Sequence, residues 1–234
     1  MEHKRLTLFA GHYGSGKTNI AVNYALHLAG EGKKVCIADL DIVNPYFRTK
    51  DSARELADAG VDLVSPQFAN SNVDLPALPA EAYRLVQDKS SYGIMDIGGD
   101  DRGAYALGRY VPYILEENDY RMVFVANCYR PLTRTPEEAM EVMREIEQAC
   151  SLKFTDLVNN SNLGFETNAD TVLASRDYIE RLSALSGLPL WLHTAERSVA
   201  EQLTGKLEPV MSMKLQEKYF DLPSQKSQNR PLWG

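Results

Sequence analysis

Between an apolar run, Leu6–Ala10, and a helical stretch, Lys17–Ala29, the chain reads Gly11-His12-Tyr13-Gly14-Ser15-Gly16-Lys17-Thr18. This is the pattern G-x-x-x-x-G-K-[ST], and its context of strand before and helix after is the one the pattern requires. Glycines let the backbone wrap closely and point its N–H groups inward, and the helix N-terminus adds partial positive charge. Such a loop binds phosphate. Gly11, His12, Tyr13, Gly14, Ser15, Gly16, Lys17 and Thr18 are therefore candidate nucleotide contacts. The Lys17 ammonium would reach the β- and γ-phosphates, and the Thr18 hydroxyl would ligate Mg2+.

The rest of the chain repeats the same alternation. Strands are expected at Leu6–Ala10, Val35–Asp39, Asp62–Val64, Tyr92–Asp96, Met122–Ala126, Asp156–Asn160 and Pro189–His193. Several are continuous apolar runs, which suits strands covered on both faces. Lys17–Ala29 sets Ala21, Tyr24, Ala25 and Leu28 on one helical face. Pro136–Cys150 does the same with Ala139, Val142, Met143 and Ile146, and it opens on a capping box of Thr135 and Glu138 with Pro136 at the first position. The expected fold is α/β: a three-layer P-loop NTPase with a mostly parallel central sheet of about seven strands and helices on both faces. One domain is expected over residues 1–222. A proline-bearing loop spans Pro66–Pro79, and a polar tail spans 223–234.

Composition narrows the partners. The 234 residues carry 25 Lys plus Arg against 32 Asp plus Glu, a net charge of −7. That balance argues against nucleic acid, whose binding rests on clustered cations. Cys36, Cys128 and Cys150 form no paired motif, so buried thiols in a reducing, cytoplasmic setting are expected. The longest apolar runs are far short of the roughly 20 residues that cross a bilayer, and Met211–Phe220 is too short and mixed for a basic amphipathic membrane helix, so no membrane binding is expected.

Two acidic strand ends complete the candidate site. Val35–Asp41 ends in Asp39-x-Asp41, and Tyr92–Gly99 ends in Asp96-x-x-Gly99. Ligands in parallel sheets sit beyond the carboxyl ends of the strands, so these aspartates should converge on the phosphate loop. Carboxylates there hold Mg2+ or orient an attacking water, and the Gly99 N–H would meet a γ-phosphate. The plainer alternative is that aspartate ends strands as a turn former.

The set GHYGSGKT, ADLD and DIGGDD resembles the deviant-P-loop ATPases that include MinD, ParA, the nitrogenase iron protein and CobQ/CobB-type proteins. The resemblance covers about residues 5–212. It implies a catalytic role for Asp41 beside Lys17, with Asp41 positioning the attacking water. It implies Mg2+ held by Thr18, Asp41 and Asp96. It also implies that Asn160 reads the base, with the loop around Glu196–Val199 closing over it, although Asn159 and Asn160 also suit a simple turn. ATP or ADP is the expected cofactor, because Asn159–Asn162 lacks the aspartate of guanine readers. The resemblance further implies a homodimer and a protein partner whose identity the sequence leaves unknown.

One departure stands out. The family carries an additional lysine near the start of the loop, where this chain has His12. His12 would either donate to a phosphate oxygen or simply satisfy the loop. Arg102, Arg109, Arg130 and Arg134 are candidates for the missing charge. The expected function is a Mg2+-dependent ATP-binding switch with ATPase activity. The alternative is an ATP-dependent ligase or kinase, like dethiobiotin synthetase or the cobyrinate amidases, acting on a small carboxylate. A metal-insertion ATPase is set aside because the sequence shows no paired-cysteine or histidine-rich segment.

Overall fold

The computed structural model describes residues 2–40, 49–64, 80–99 and 101–216. Asp41, the Pro66–Pro79 loop and the 223–234 tail lie outside the described residues. The first half of the chain contains β1 (Leu6–Ala10), α1 (Lys17–Gly30), β2 (Val35–Leu40), α2 (Ala53–Asp58), β3 (Asp62–Val64), α3 (Arg84–Gln87) and β4 (Tyr92–Ile97). Then follow α4 (Asp101–Gly108), α5 (Val111–Glu117), β5 (Tyr120–Ala126), α6 (Pro136–Cys150) and β6 (Asp156–Asn159). The last elements are α7 (Ala169–Ala174), α8 (Arg176–Ser186), β7 (Leu190–Glu196), α9 (Arg197–Leu203) and β8 (Val210–Met213).

All eight strands pair in parallel, in the order β3-β2-β4-β1-β5-β6-β7-β8. β1 is central, between β4 and β5, so the loop that follows it emerges in the middle of the carboxyl edge of the sheet. That is where the strand order reverses and where open α/β sheets place their ligands.

The sheet separates two apolar layers. Along β1 the side chains alternate, as the strand period requires. Leu6, Leu8 and Ala10 join a core with Leu107, Met143, Ile146 and Ile179 from α4, α6 and α8. Phe9 faces the other way, into a core with Ile20, Tyr24, Leu28 and Trp191. Every residue of β1 and β2 is buried, which explains their unbroken apolar runs. The α6 capping box forms in both directions: Glu138 N donates to Thr135 Oγ1 at 3.2 Å, and Thr135 N donates to the Glu138 carboxylate at 3.2 Å.

The expected mostly parallel sheet of about seven strands is found as an all-parallel sheet of eight, the eighth being Val210–Met213 beside β7. Four residues behind Pro209, at the sheet edge and only partly buried, leave no alternating apolar run to read. One expectation needs correction: the segment around Glu196–Val199 is not a loop. β7 runs on to Glu196, and α9 starts at Arg197. The polar residues His193, Thr194 and Glu196 hid this extension, and both His193 and Thr194 are buried. No helix among the described residues is long and apolar enough to cross a membrane.

Candidate functional site

The loop between β1 and α1 is built on left-handed glycines. Gly14 and Gly16 have φ of 76° and 91°, a region that residues with a Cβ avoid. Gly16 also has no room for one, since a Cβ there would collide with the Asn160 amide. The turn closes where Ser15 N donates to the His12 carbonyl at 3.1 Å. The Lys17 ammonium folds back over the loop and donates to the same carbonyl at 3.3 Å. Lys17 is only 5% exposed and Thr18 8%, so both polar groups are held inside the loop and helix start. The His12 ring lies against the Tyr13 carbonyl at 3.1 Å, which is the loop-satisfying role.

The two acidic strands are neighbours. β2 and β4 pair with Asp39 opposite Asp96, and both aspartates are buried. Strands lie about 4.8 Å apart, so these carboxylates share one low-dielectric corner and need positive charge nearby. Thr49 Oγ1 donates to Asp96 Oδ2 at 3.3 Å. After β4 the chain presses directly on the phosphate loop. A Cβ at Gly99 would stand 2.8 Å from Tyr13 N and 3.1 Å from the Lys17 ammonium. Gly103 is as tightly placed, because a Cβ there would stand 2.6 Å from the Gly98 Cα. Gly99 thus lets the end of β4 rest on the loop, and Gly103 lets the first turn of α4 pack on Gly98, without side chains between them. Gly103 drew no notice in the sequence, where its spacing from Gly98 and Gly99 was the available signal.

The far wall comes from β6, β7 and β8. Asn160 is 4% exposed, with both ends of its amide in use. Its Nδ2 donates to the Ser15 carbonyl at 2.6 Å, and its Oδ1 accepts from Thr194 Oγ1 at 2.6 Å. Asn160 therefore binds the phosphate loop itself. Asn162 reaches into the same cleft and holds its own turn, donating to the Asn160 carbonyl at 2.7 Å. Glu196 lines the cleft, and its carboxylate caps α9, accepting from Ser198 N at 2.9 Å and from the Ser198 hydroxyl. Those hydrogen bonds, the Ser198 hydroxyl first, lower its pKa.

Some contributors went unread in the sequence. Asn19 and Asn23, one turn apart on α1, clamp the segment after β8. Asn23 exchanges two hydrogen bonds with the Lys214 backbone, at 2.8 and 2.9 Å, and Asn19 Oδ1 accepts from Gln216 N at 3.2 Å. Asn127, fully buried after β5, accepts from Tyr129 N at 3.0 Å and from Asn162 N at 3.3 Å, joining two loops of the cleft. The asparagine spacing was legible, but the partners lie more than 30 residues away in sequence.

Of the candidate arginines whose side chains are described, Arg130 is the one brought to the loop. Its guanidinium carbon and Nε lie 3.9 and 3.7 Å from where a Gly14 Cβ would be. Arg130 Nε is buried with no hydrogen-bond partner among the described residues. Arg109 and Arg134 are exposed and do not line the cleft. The cleft itself has a volume of about 310 Å³ and runs from Tyr13, Lys17 and Thr18 past Arg130 to Asn162, Phe165 and Glu196. That is the size range of a small-ligand pocket. The residues fit a Mg2+-bound nucleoside phosphate: a loop built on left-handed glycines, a buried ammonium, a helix N-terminus, a hydroxyl at Thr18 and carboxylates at Asp39 and Asp96.

No family model and no curated protein matches the chain. Solved structures do. The signal recognition particle receptor FtsY from Elizabethkingia anophelis aligns with TM-score 0.51 at 18% identity, covering 81% of this chain and 58% of that one. Chloroplast FtsY from Physcomitrella patens gives 0.52 at 16% identity, over 81% of this chain and 58% of that one. The signal recognition particle 54 kDa protein from Aeropyrum pernix, in complex with GDP, gives 0.50 at 17% identity, over 79% and 40%. The chain thus spans between 40% and 58% of the length of these proteins. The likeness establishes a P-loop NTPase-like fold.

Proposed function

We propose that this protein is a Mg2+-dependent ATP-binding switch with ATPase activity, of the MinD, ParA and CobQ/CobB type. The observation that carries the reading is the glycine-built loop closing on buried Lys17 and Thr18, opposite Asp39, Asp96 and Gly99. In this reading the loop N–H groups and Lys17 bind the phosphates, and the Gly99 N–H senses the terminal one. Thr18 and Asp96 hold Mg2+, with Asp41 as the third candidate ligand and the residue that orients water. Bound Mg2+ would neutralise phosphate charge and offset the repulsion of the carboxylates. Arg130 supplies the cation that the family's additional loop lysine would.

ATP is favoured because Asn159–Asn162 contains no aspartate to pair with guanine donors. Exposed Tyr13 and Phe165 stand at the cleft mouth, 53% and 78% accessible, and suit burial against a second copy in a nucleotide-dependent homodimer. A thermal-shift titration with Mg-ATP and Mg-GTP tests the reading. ATP should raise the melting temperature, and Lys17→Ala should abolish the shift. If neither nucleotide moves it, the reading fails. A shift with GTP alone would overturn the choice of base. Light scattering with and without Mg-ATP tests the dimer, and an unchanged mass in both would remove it.

A further inference from the structure

At the other end of α1, one helix length and about 20 Å from the phosphate loop, the fold assembles a cluster that the sequence keeps apart. His3 lies just before β1, while His27 and Glu31 occupy the last turn of α1 and its cap. His3 Nε2 stands 3.2 Å from Glu31 Oε2, and His27 Nε2 stands 3.3 Å from Glu31 Oε1. All three ligand atoms lie within 4.8 Å of one another. We propose that His3, His27 and Glu31 form a binding site for a divalent transition-metal ion of the zinc type.

Two observations support it. First, each histidine nitrogen stands about as far from a Glu31 oxygen as two ligands of one zinc ion do. Tetrahedral bonds of about 2.0–2.1 Å to zinc put neighbouring ligand atoms about 3.3 Å apart. Second, His3 is oriented from behind, because its Nδ1 is 3.0 Å from the Tyr24 hydroxyl. That is the outer-shell support metal-binding imidazoles commonly have. Tyr24 is itself fixed in the core, edge-on to Trp191 at 5.3 Å and to Phe9 at 5.9 Å. Glu31 and His27 are exposed, which leaves the site open to solvent for entry and for a fourth, water ligand. Two nitrogens and one carboxylate favour zinc, cobalt or nickel over Mg2+, which prefers an all-oxygen shell. The site is independent of nucleotide binding.

The test is isothermal titration of the tag-free full chain with Zn2+ alone, in excess Mg2+. One zinc per chain with micromolar affinity is expected. His27→Ala and Glu31→Gln, both at exposed positions, should each weaken it roughly tenfold or more. His12→Ala and Lys17→Ala should bind zinc like the parent chain, whatever they do to nucleotide. Absence of binding at about 100 µM Zn2+ overturns the site. So does undiminished binding in either the His27 or the Glu31 variant, because a three-ligand site cannot spare one.

Discussion

Asn160 donates its side-chain amide to the Ser15 carbonyl at 2.6 Å, tying the end of β6 to the phosphate loop two strands away. A buried amide in this position fixes where the loop sits relative to the base end of the cleft. Asn160→Ala leaves the Ser15 carbonyl and the Thr194 hydroxyl without this partner, at a cost of about 1–3 kcal/mol. Asn160→Asp keeps an acceptor for Thr194 but sets an oxygen against the Ser15 carbonyl, so it should cost at least as much. Urea unfolding measures both. If the Asp variant is as stable as the parent, the tie contributes nothing.

Gly99 tests the contact between the end of β4 and the loop. A methyl group there would press on Tyr13 N at 2.8 Å and on the Lys17 ammonium at 3.1 Å. Gly99→Ala should therefore displace the loop or Lys17 and weaken Mg-ATP binding at least tenfold, with a small change in melting temperature. Equal affinity in a nucleotide titration would show that this contact gives way freely.

His193 gives the protein an acid sensitivity. It is buried on β7, and its Nδ1 accepts from Asn159 Nδ2 at 3.1 Å. Burial, with Arg176 adding to it, lowers its pKa below 6.5, and Glu180 opposes only in part. The unfolded chain then binds the proton more readily than the folded one. This contribution is fully present above about pH 6.5 and is lost as pH falls toward the folded pKa, with a slope of at most about 1.4 kcal/mol per pH unit. His3, also lowered, acts in the same direction. His193→Gln should flatten part of the stability loss between about pH 7.5 and 5.5. Parallel pH profiles for the two proteins would sink the assignment.

These residues show what the sequence could disclose. The loop, both acidic strand ends and the α6 capping box are local patterns, and their physics acts over a few residues. Strands buried on both faces read as continuous apolar runs, so β1 and β2 were legible. β8 was not, because an edge strand of four residues has neither run nor alternation. The same limit hid the Asn23–Lys214 clamp and the meeting of His3 with His27. Each joins segments whose proximity follows only from the folded sheet. Asn160 was found by its position after β6, but its hydrogen bonds to Ser15 and Thr194 depend on two other strands.

Arg130 is the sharpest remaining question about charge at the site. Its guanidinium lies beside Gly14, and its buried Nε has no hydrogen-bond partner among the described residues. A donor held this way is ready to meet a phosphate oxygen. Charge-assisted hydrogen bonds contribute about 1.5–3 kcal/mol, so Arg130→Ala should reduce Mg-ATP affinity or single-turnover hydrolysis roughly ten- to hundredfold. Arg130→Lys should restore only part of it, because the ammonium lacks the planar fork and its Nε donor. A loss confined to hydrolysis would place the guanidinium on charge that develops during the reaction. A loss confined to binding would place it on the ground-state phosphates. If Arg130→Ala binds and turns over ATP like the parent chain, the missing loop charge is supplied from elsewhere, and a partner subunit becomes the place to look.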